Sequence, residues 1–169
     1  MKALLVDGYN LIYAHPRLAD AMRHDQEKAR QDLVRELSSL ANPGRYDLVV
    51  VVFDAAGSDQ AEPVAQRSEG MTVVFTRRRQ SADAFIEGLA RRLLPGNEVV
   101  VASSDRMLAN LVGGFGARVV EGPALLEAAG EARQDTREEL RRRAGSGRSP
   151  LEERISDEVR RLLDEMRYR

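Results

Sequence analysis

The chain is built around short apolar runs, three of which are closely followed by an aspartate. Four such runs lie at residues 3–6, 48–53, 72–75 and 98–102, and a fifth lies at 117–120. Runs this short and this rich in valine suit strands buried on both faces. Helical patterns stand between them. Residues 25–40 place Ala29, Leu33, Leu37 and Leu40 on one face, at spacings of three and four. Residues 81–94 do the same with Ala82, Phe85, Ile86, Leu89, Ala90 and Leu93, and Pro95-Gly96 ends that helix. Ser104 is expected to cap a helix running to about residue 112, which Gly113-Gly114 breaks. This alternation predicts an α/β fold with a mostly parallel sheet and right-handed crossovers.

Residues 55–70 carry Gly, Ser, Asp, Glu, Gln and Pro63 and are expected to form a surface loop. After Glu121 the pattern is helical again, and from Glu138 it becomes dense in Arg and Glu around a Gly-Ser-Gly-Arg-Ser-Pro interruption at 145–150. Leu151, Ile155, Val159, Leu162, Leu163 and Met166 form a thin apolar stripe expected on a last helix. No internal repeat and no second core is evident.

The acids fall in register with the strands. Asp7 directly follows the first run, Asp54 the second, and Asp105 lies just past the fourth. Asp83 is expected in the first turn of the 81–94 helix, opening on the same edge, with Glu87 four residues on and on the same face. The carboxyl edge of an open parallel sheet is where ligands bind. Carboxylates gathered there repel one another unless a cation sits among them. Mg²⁺ or Mn²⁺ suits such a site, because hard cations take oxygen ligands. The chain has no cysteine, so a thiolate site is excluded. A metal held this way activates water, bridges a phosphate and stabilises a leaving oxygen, as phosphodiester hydrolysis requires. Each acid taken alone also fits a bland role as a helix cap or turn residue.

Several other chemistries lack their motifs. There is no Walker-type phosphate loop and no glycine-rich dinucleotide loop after the first strand. No nucleophile elbow appears. The first run ends Asp7-Gly8-Tyr9, without the second aspartate of an aspartyl-phosphate phosphatase. His15 and His24 show no metal-ligand spacing, and His24 reads as a solvent-facing helix residue. No stretch approaches the roughly 18 uncharged apolar residues of a membrane span, and the first apolar run is too short for a signal peptide, so a cytoplasmic protein is expected.

Formal net charge is −1 and does not announce a polyanion partner. Lys2 and Lys28 are the only lysines among 26 basic residues. Base composition of the genome accounts for most of the arginines. Those beside the acidic edge, Arg77-Arg78-Arg79 and Arg106, are candidates to hold phosphates, which arginine binds bidentately. Arg141-Arg142-Arg143 sits among glutamates and reads as a salt-bridged exposed helix. Tyr9 and Tyr13 fit either base stacking or packing at a strand end.

Taken together, Val6-Asp7-Gly8-Tyr9-Asn10-Leu11-Ile12, Val52-Phe53-Asp54-Ala55, Ser81-Ala82-Asp83-Ala84-Phe85-Ile86-Glu87 and Ala102-Ser103-Ser104-Asp105 resemble the YacP-like branch of the NYN-domain proteins, within the PIN-like nuclease group. The resemblance runs from Met1 to about Ala129. It implies a PIN-like three-layer sandwich at residues 1–134, a charged helical C-terminal extension at 135–169, Mg²⁺ or Mn²⁺ dependence and endoribonuclease activity. It also implies mRNA as substrate and the ribosome as partner. Position by position, Asp7, Asp83 and Asp105 match the metal-binding acids, and Asn10 matches the polar residue that supports them. Asp54 matches the acid of an F-D-A motif, which orients either the site or its loop. Glu87 is placed as a further or water-mediated ligand. Ser81 stands where the family usually has threonine and keeps the hydroxyl. The rival expectations are a non-catalytic RNA- or ribosome-binding module with the same fold, and a metal-dependent phosphatase for a small substrate.

Overall fold

A computed structural model describes residues 1–55 and 59–142. Its described strands are β1 (Lys2–Asp7), β2 (Leu48–Phe53), β3 (Val64–Ser68), β4 (Met71–Phe75), β5 (Glu98–Ala102) and β6 (Arg118–Val120). They form one six-stranded sheet in the order β3-β4-β2-β1-β5-β6. All neighbours are parallel except β3, which runs antiparallel to β4. The helices are α1 (Gly8–Ala14), α2 (Pro16–His24), α3 (Gln26–Leu37), α4 (Ala82–Leu93), α5 (Arg106–Gly114) and α6 (Gly122–Arg142), and a 3₁₀ turn at Ser38–Leu40 extends α3.

The central strands are buried on both faces, and their alternation feeds two cores. Leu4, Val6, Val49, Val51 and Phe53 pack under α1, α2, α3 and α6. Ala3, Leu5, Val50, Val52, Val99 and Val101 pack under α4 and α5. On α4, Phe85, Ile86, Leu89 and Leu93 are buried at helical spacing, which adds roughly 1.5–3 kcal/mol for each large side chain removed from water. The fold is therefore α/β, with helices on both faces of a mostly parallel sheet, as the strand–helix alternation predicts.

Three local features depart from the sequence expectations. The 55–70 segment contains β3, closed onto β4 by the turn Glu69-Gly70 with φ of 50° and 76°. Positive φ at both positions matches the twist of a two-residue hairpin. This strand, Val-Ala-Gln-Arg-Ser, is an exposed edge with no alternation of buried and exposed residues, so it leaves no hydrophobic signature. Two helices, α1 and α2, precede the expected 25–40 helix, and Pro16 occupies the start of α2. The helix expected from Ser104 is capped instead by Asp105 and runs to Gly114.

Among the described residues, no helix is long and apolar enough to cross a membrane. The last helix passes position 135 without a break. The 145–150 interruption and the Leu151–Met166 stripe lie outside the described residues.

Candidate active site

The topological switch point of the sheet lies between β1 and β5, at the carboxyl edge. These neighbours send their chains to opposite faces, β1 into α1 above one core and β5 into α5 above the other. Ligands of open α/β sheets bind at such a switch point. Asp7 closes β1 and caps α1, its Oδ1 accepting from the Asn10 backbone N–H at 3.1 Å. Asp105 lies past β5 and caps α5, its Oδ1 accepting from the N–H groups of Met107 (2.7 Å) and Leu108 (3.0 Å). Asp83 stands in the first turn of α4, which Ser81 caps through Oγ at 3.1 Å from the Ala84 N–H. Asp54 follows β2 directly.

Asp7 and Asp83 both respond to the charges of neighbouring carboxylates. Burial pushes the Asp7 carboxyl up to about 6; the Asn10 N–H opposes this, and the Asp83 and Asp54 charges add to it. Asp83 is also raised, first by burial and then by the charges of Asp105 and Asp54, while its hydrogen bond with Asp7 pulls it down. Both carboxyls therefore hold their protons to higher pH than a free aspartate does. Asp83 Oδ1 is buried without a hydrogen-bond partner, and such an orphan acceptor is costly.

These features fit a hard divalent cation. Burial and neighbouring charge that disfavour ionised Asp7 and Asp83, and a buried oxygen without a donor, are both relieved by positive charge. The donor set is all oxygen, as Mg²⁺ and Mn²⁺ prefer. Among the described residues, no three acidic or histidine side chains already converge as a complete cage. Ions of this type keep several waters and need few protein ligands.

Two expected participants are engaged elsewhere. Glu87 shares the face of α4 with Asp83 but is held by Arg91 at 2.8 Å, in an i,i+4 ion pair. Asp105 spends Oδ1 on the cap of its own helix. Asn10 does join the site: its Oδ1 accepts from the Ser104 N–H at 2.8 Å, across the switch point. Arg77, Arg78 and Arg79 form the tight turn between β4 and α4, closed by the Gln80 N–H on the Arg77 carbonyl at 3.0 Å. Arg78 and Arg79 are exposed, and Arg79 has φ of 62°. Arg78 pairs with exposed Asp59 at 3.6 Å. Arg106 is exposed at the start of α5. Of the tyrosines, Tyr9 packs against the core and Tyr13 is exposed.

The sequence reading missed two buried hydroxyls that brace this edge. Thr76 Oγ1 accepts from the Ala55 N–H at 3.1 Å and donates to the Gln80 carbonyl at 2.7 Å, tying the Asp54 loop to the arginine turn. Ser103 Oγ accepts from the Asp105 N–H at 3.1 Å. Both are hydroxyl residues immediately after a strand, which was the available signal.

The pattern of the YacP-like NYN domain matches residues 4–168. The uncharacterized protein YacP of Bacillus subtilis (strain 168) is 37% identical over 106 residues, which is 62% of this chain and 61% of that protein. The match thus spans about three-fifths of that curated relative's length. The crystal structure of Rae1 (YacP) from Bacillus subtilis superposes with a TM-score of 0.69 at 30% identity, covering 99% of this chain and 95% of that one. A point mutant of the same Bacillus subtilis protein gives a TM-score of 0.68 at 29% identity, with the same coverage. NYN domains are generally nucleases and usually use divalent metals. In sequence pattern over nearly its whole length, and in its PIN-like architecture, the chain belongs to the YacP-like NYN domain family.

Proposed function

We propose that the protein is a metal-dependent endoribonuclease that hydrolyses RNA phosphodiester bonds, with ribosome-associated mRNA as its substrate in the cytoplasm. The observation that carries this reading is the half-buried Asp7–Asp83 pair, which is coupled to Asp54 and Asp105 and leaves Asp83 Oδ1 without a partner. A phosphate-binding surface gains nothing from such a cluster of carboxylates. A cation binder does.

In this reading Asp7 and Asp83 hold Mg²⁺ or Mn²⁺, and Asp105 contributes the oxygen not spent on its cap. An ion held there would supply Lewis acidity toward water and phosphate. Asp54 adds negative potential that favours the cation, and Glu87 acts at most through water. Asn10 fixes the spacing of the two loops that carry Asp7 and Asp105. Arg77, Arg78, Arg79 and Arg106 hold the phosphates on either side of the cleaved bond. The mRNA and ribosome assignments follow from the family resemblance, with the arginine turn as local support.

One observation favours a second reading, a non-catalytic RNA-binding module: no complete cage of three acids exists among the described residues. Incubation of the full chain with RNA and Mn²⁺ separates the two. The nuclease reading expects endonucleolytic products that vanish with Asp83→Asn and with chelator. RNA bound but left intact, on free mRNA and on ribosomes alike, selects the binding module.

A further inference from the structure

A groove of about 260 Å³ lies between α3 and the β3–β4 hairpin, beside the acidic edge but outside the carboxylate cluster. Its volume is near the small end of ligand pockets. Its position follows from the chain: Phe53, at its inner wall, immediately precedes Asp54, and Tyr9, which packs on Phe53, lies two residues after Asp7.

The wall near that edge is a layered shelf. Tyr9 meets Phe53 edge-on at 5.1 Å, and Phe53 stacks on Phe75 at 5.7 Å. The Arg30 guanidinium lies over the Phe75 ring at 5.5 Å. Arg30 also donates to the Tyr9 hydroxyl at 2.9 Å, and Gln26 donates to the same oxygen at 2.9 Å. One face of the guanidinium is therefore covered by an aromatic ring and one edge is pinned, while Arg30 still lines the groove. A planar cation held this way has little rotamer freedom left to lose on binding.

The rest of the lining argues against a phosphate as the occupant. Glu27 and Glu69 face the groove together with Arg30 and Arg35, so its charge is balanced. Gln31 and Gln66 add amides that both donate and accept. A flat, neutral, polar group fits such walls. A nucleobase stacks on arginine planes and is read by amide and carboxylate side chains along its edges.

We propose that this groove receives one base of the RNA strand flanking the cleaved bond, stacked on Arg30 and read by Gln31 and Gln66. The inference rests on the reading of the protein as one that acts on RNA. It adds a source of sequence preference that cation-holding carboxylates and a phosphate-holding arginine turn do not supply.

The test measures fluorescence anisotropy of labelled hexanucleotides of A, C or U with the full chain in EDTA, where metal-dependent hydrolysis is off. The wild type is expected to rank the three unequally. Arg30→Ala is expected to weaken the tightest by about tenfold, in line with loss of one stacked base, and to level the ranking. Arg30→Lys keeps the charge without the plane and is expected to do the same, with circular dichroism confirming that both variants are folded. Equal binding of the three by the wild type, or a ranking that survives in either variant, overturns the groove as a base site. Cleavage in Mn²⁺ is scored separately. Ranked binding that depends on Arg30 without cleavage sinks the nuclease reading alone, whereas cleavage with a ranking indifferent to Arg30 sinks the groove alone.

Discussion

The Asn10 side chain accepts a hydrogen bond from the Ser104 backbone N–H at 2.8 Å, joining residues 94 positions apart across the switch point between β1 and β5. Asn10 sits in the helix that Asp7 caps, and Ser104 immediately precedes Asp105. The bond therefore sets the separation of two site acids without using a carboxylate. Asn10→Ala is expected to lower RNA cleavage by about 10–100-fold, the range for loss of a residue that orients metal ligands. Its cost in stability is expected to be only about 1 kcal/mol. Parallel cleavage and chemical-denaturation assays check this, and a cleavage loss no larger than the stability loss explains would remove Asn10 from the site.

Asp7 makes the fold's stability depend on pH. Its carboxyl holds a proton up to about pH 6 in the folded protein and to 3.8 ordinarily, so the folded state binds more protons between these values. Without divalent cation, stability contributed by this group is complete below about pH 4. It falls as pH rises and is lost above about 6. Asp7→Asn keeps the oxygen that caps α1 and removes the charge. It is expected to stabilise the cation-free protein by about 1–3 kcal/mol at pH 7.5 and by almost nothing at pH 3.5. Urea unfolding in EDTA at the two pH values measures the difference. Equal effects at both values would contradict the crowded-carboxylate account.

Gly8 is tied to the core by space. A Cβ placed there would meet the Phe53 ring at 2.3 Å. Phe53 is fully buried between Tyr9 and Phe75, so the ring cannot swing aside cheaply. Gly8→Ala is expected to destabilise the protein by about 1–3 kcal/mol despite alanine's better helix propensity. Thermal unfolding of the variant checks this, and an unchanged or higher midpoint would show that α1 can lift off the sheet.

The positions of the site acids were legible because strand periodicity and strand ends are local signals. Asp7, Asp54 and Asp105 each follow an apolar run, and Asp83 follows a recognisable cap at Ser81. What those acids do with their oxygens was not legible. The cap that Asp105 makes on α5 and the pairing of Glu87 with Arg91 are local choices between two roles that the sequence left open, whereas the interaction of Asp7 with Asp83 depends on distances that the strand order sets. That order, with β1 between β2 and β5, follows from which crossover takes which face. The edge strand β3 escaped for the opposite reason: both its faces are largely solvated, so Val64 to Ser68 carry no buried pattern. The Arg30 shelf brings together α1, α3, β2 and β4, and no stretch of the chain announces it.

If Asp7 and Asp83 share a divalent cation, anomalous diffraction from a crystal soaked in Mn²⁺ is expected to show a peak at about 2 Å from carboxylate oxygens of both residues, absent from Asp83→Asn crystals soaked in the same way. A well-ordered site with no peak between them, in a protein that still cleaves RNA in Mn²⁺, would contradict a shared cation.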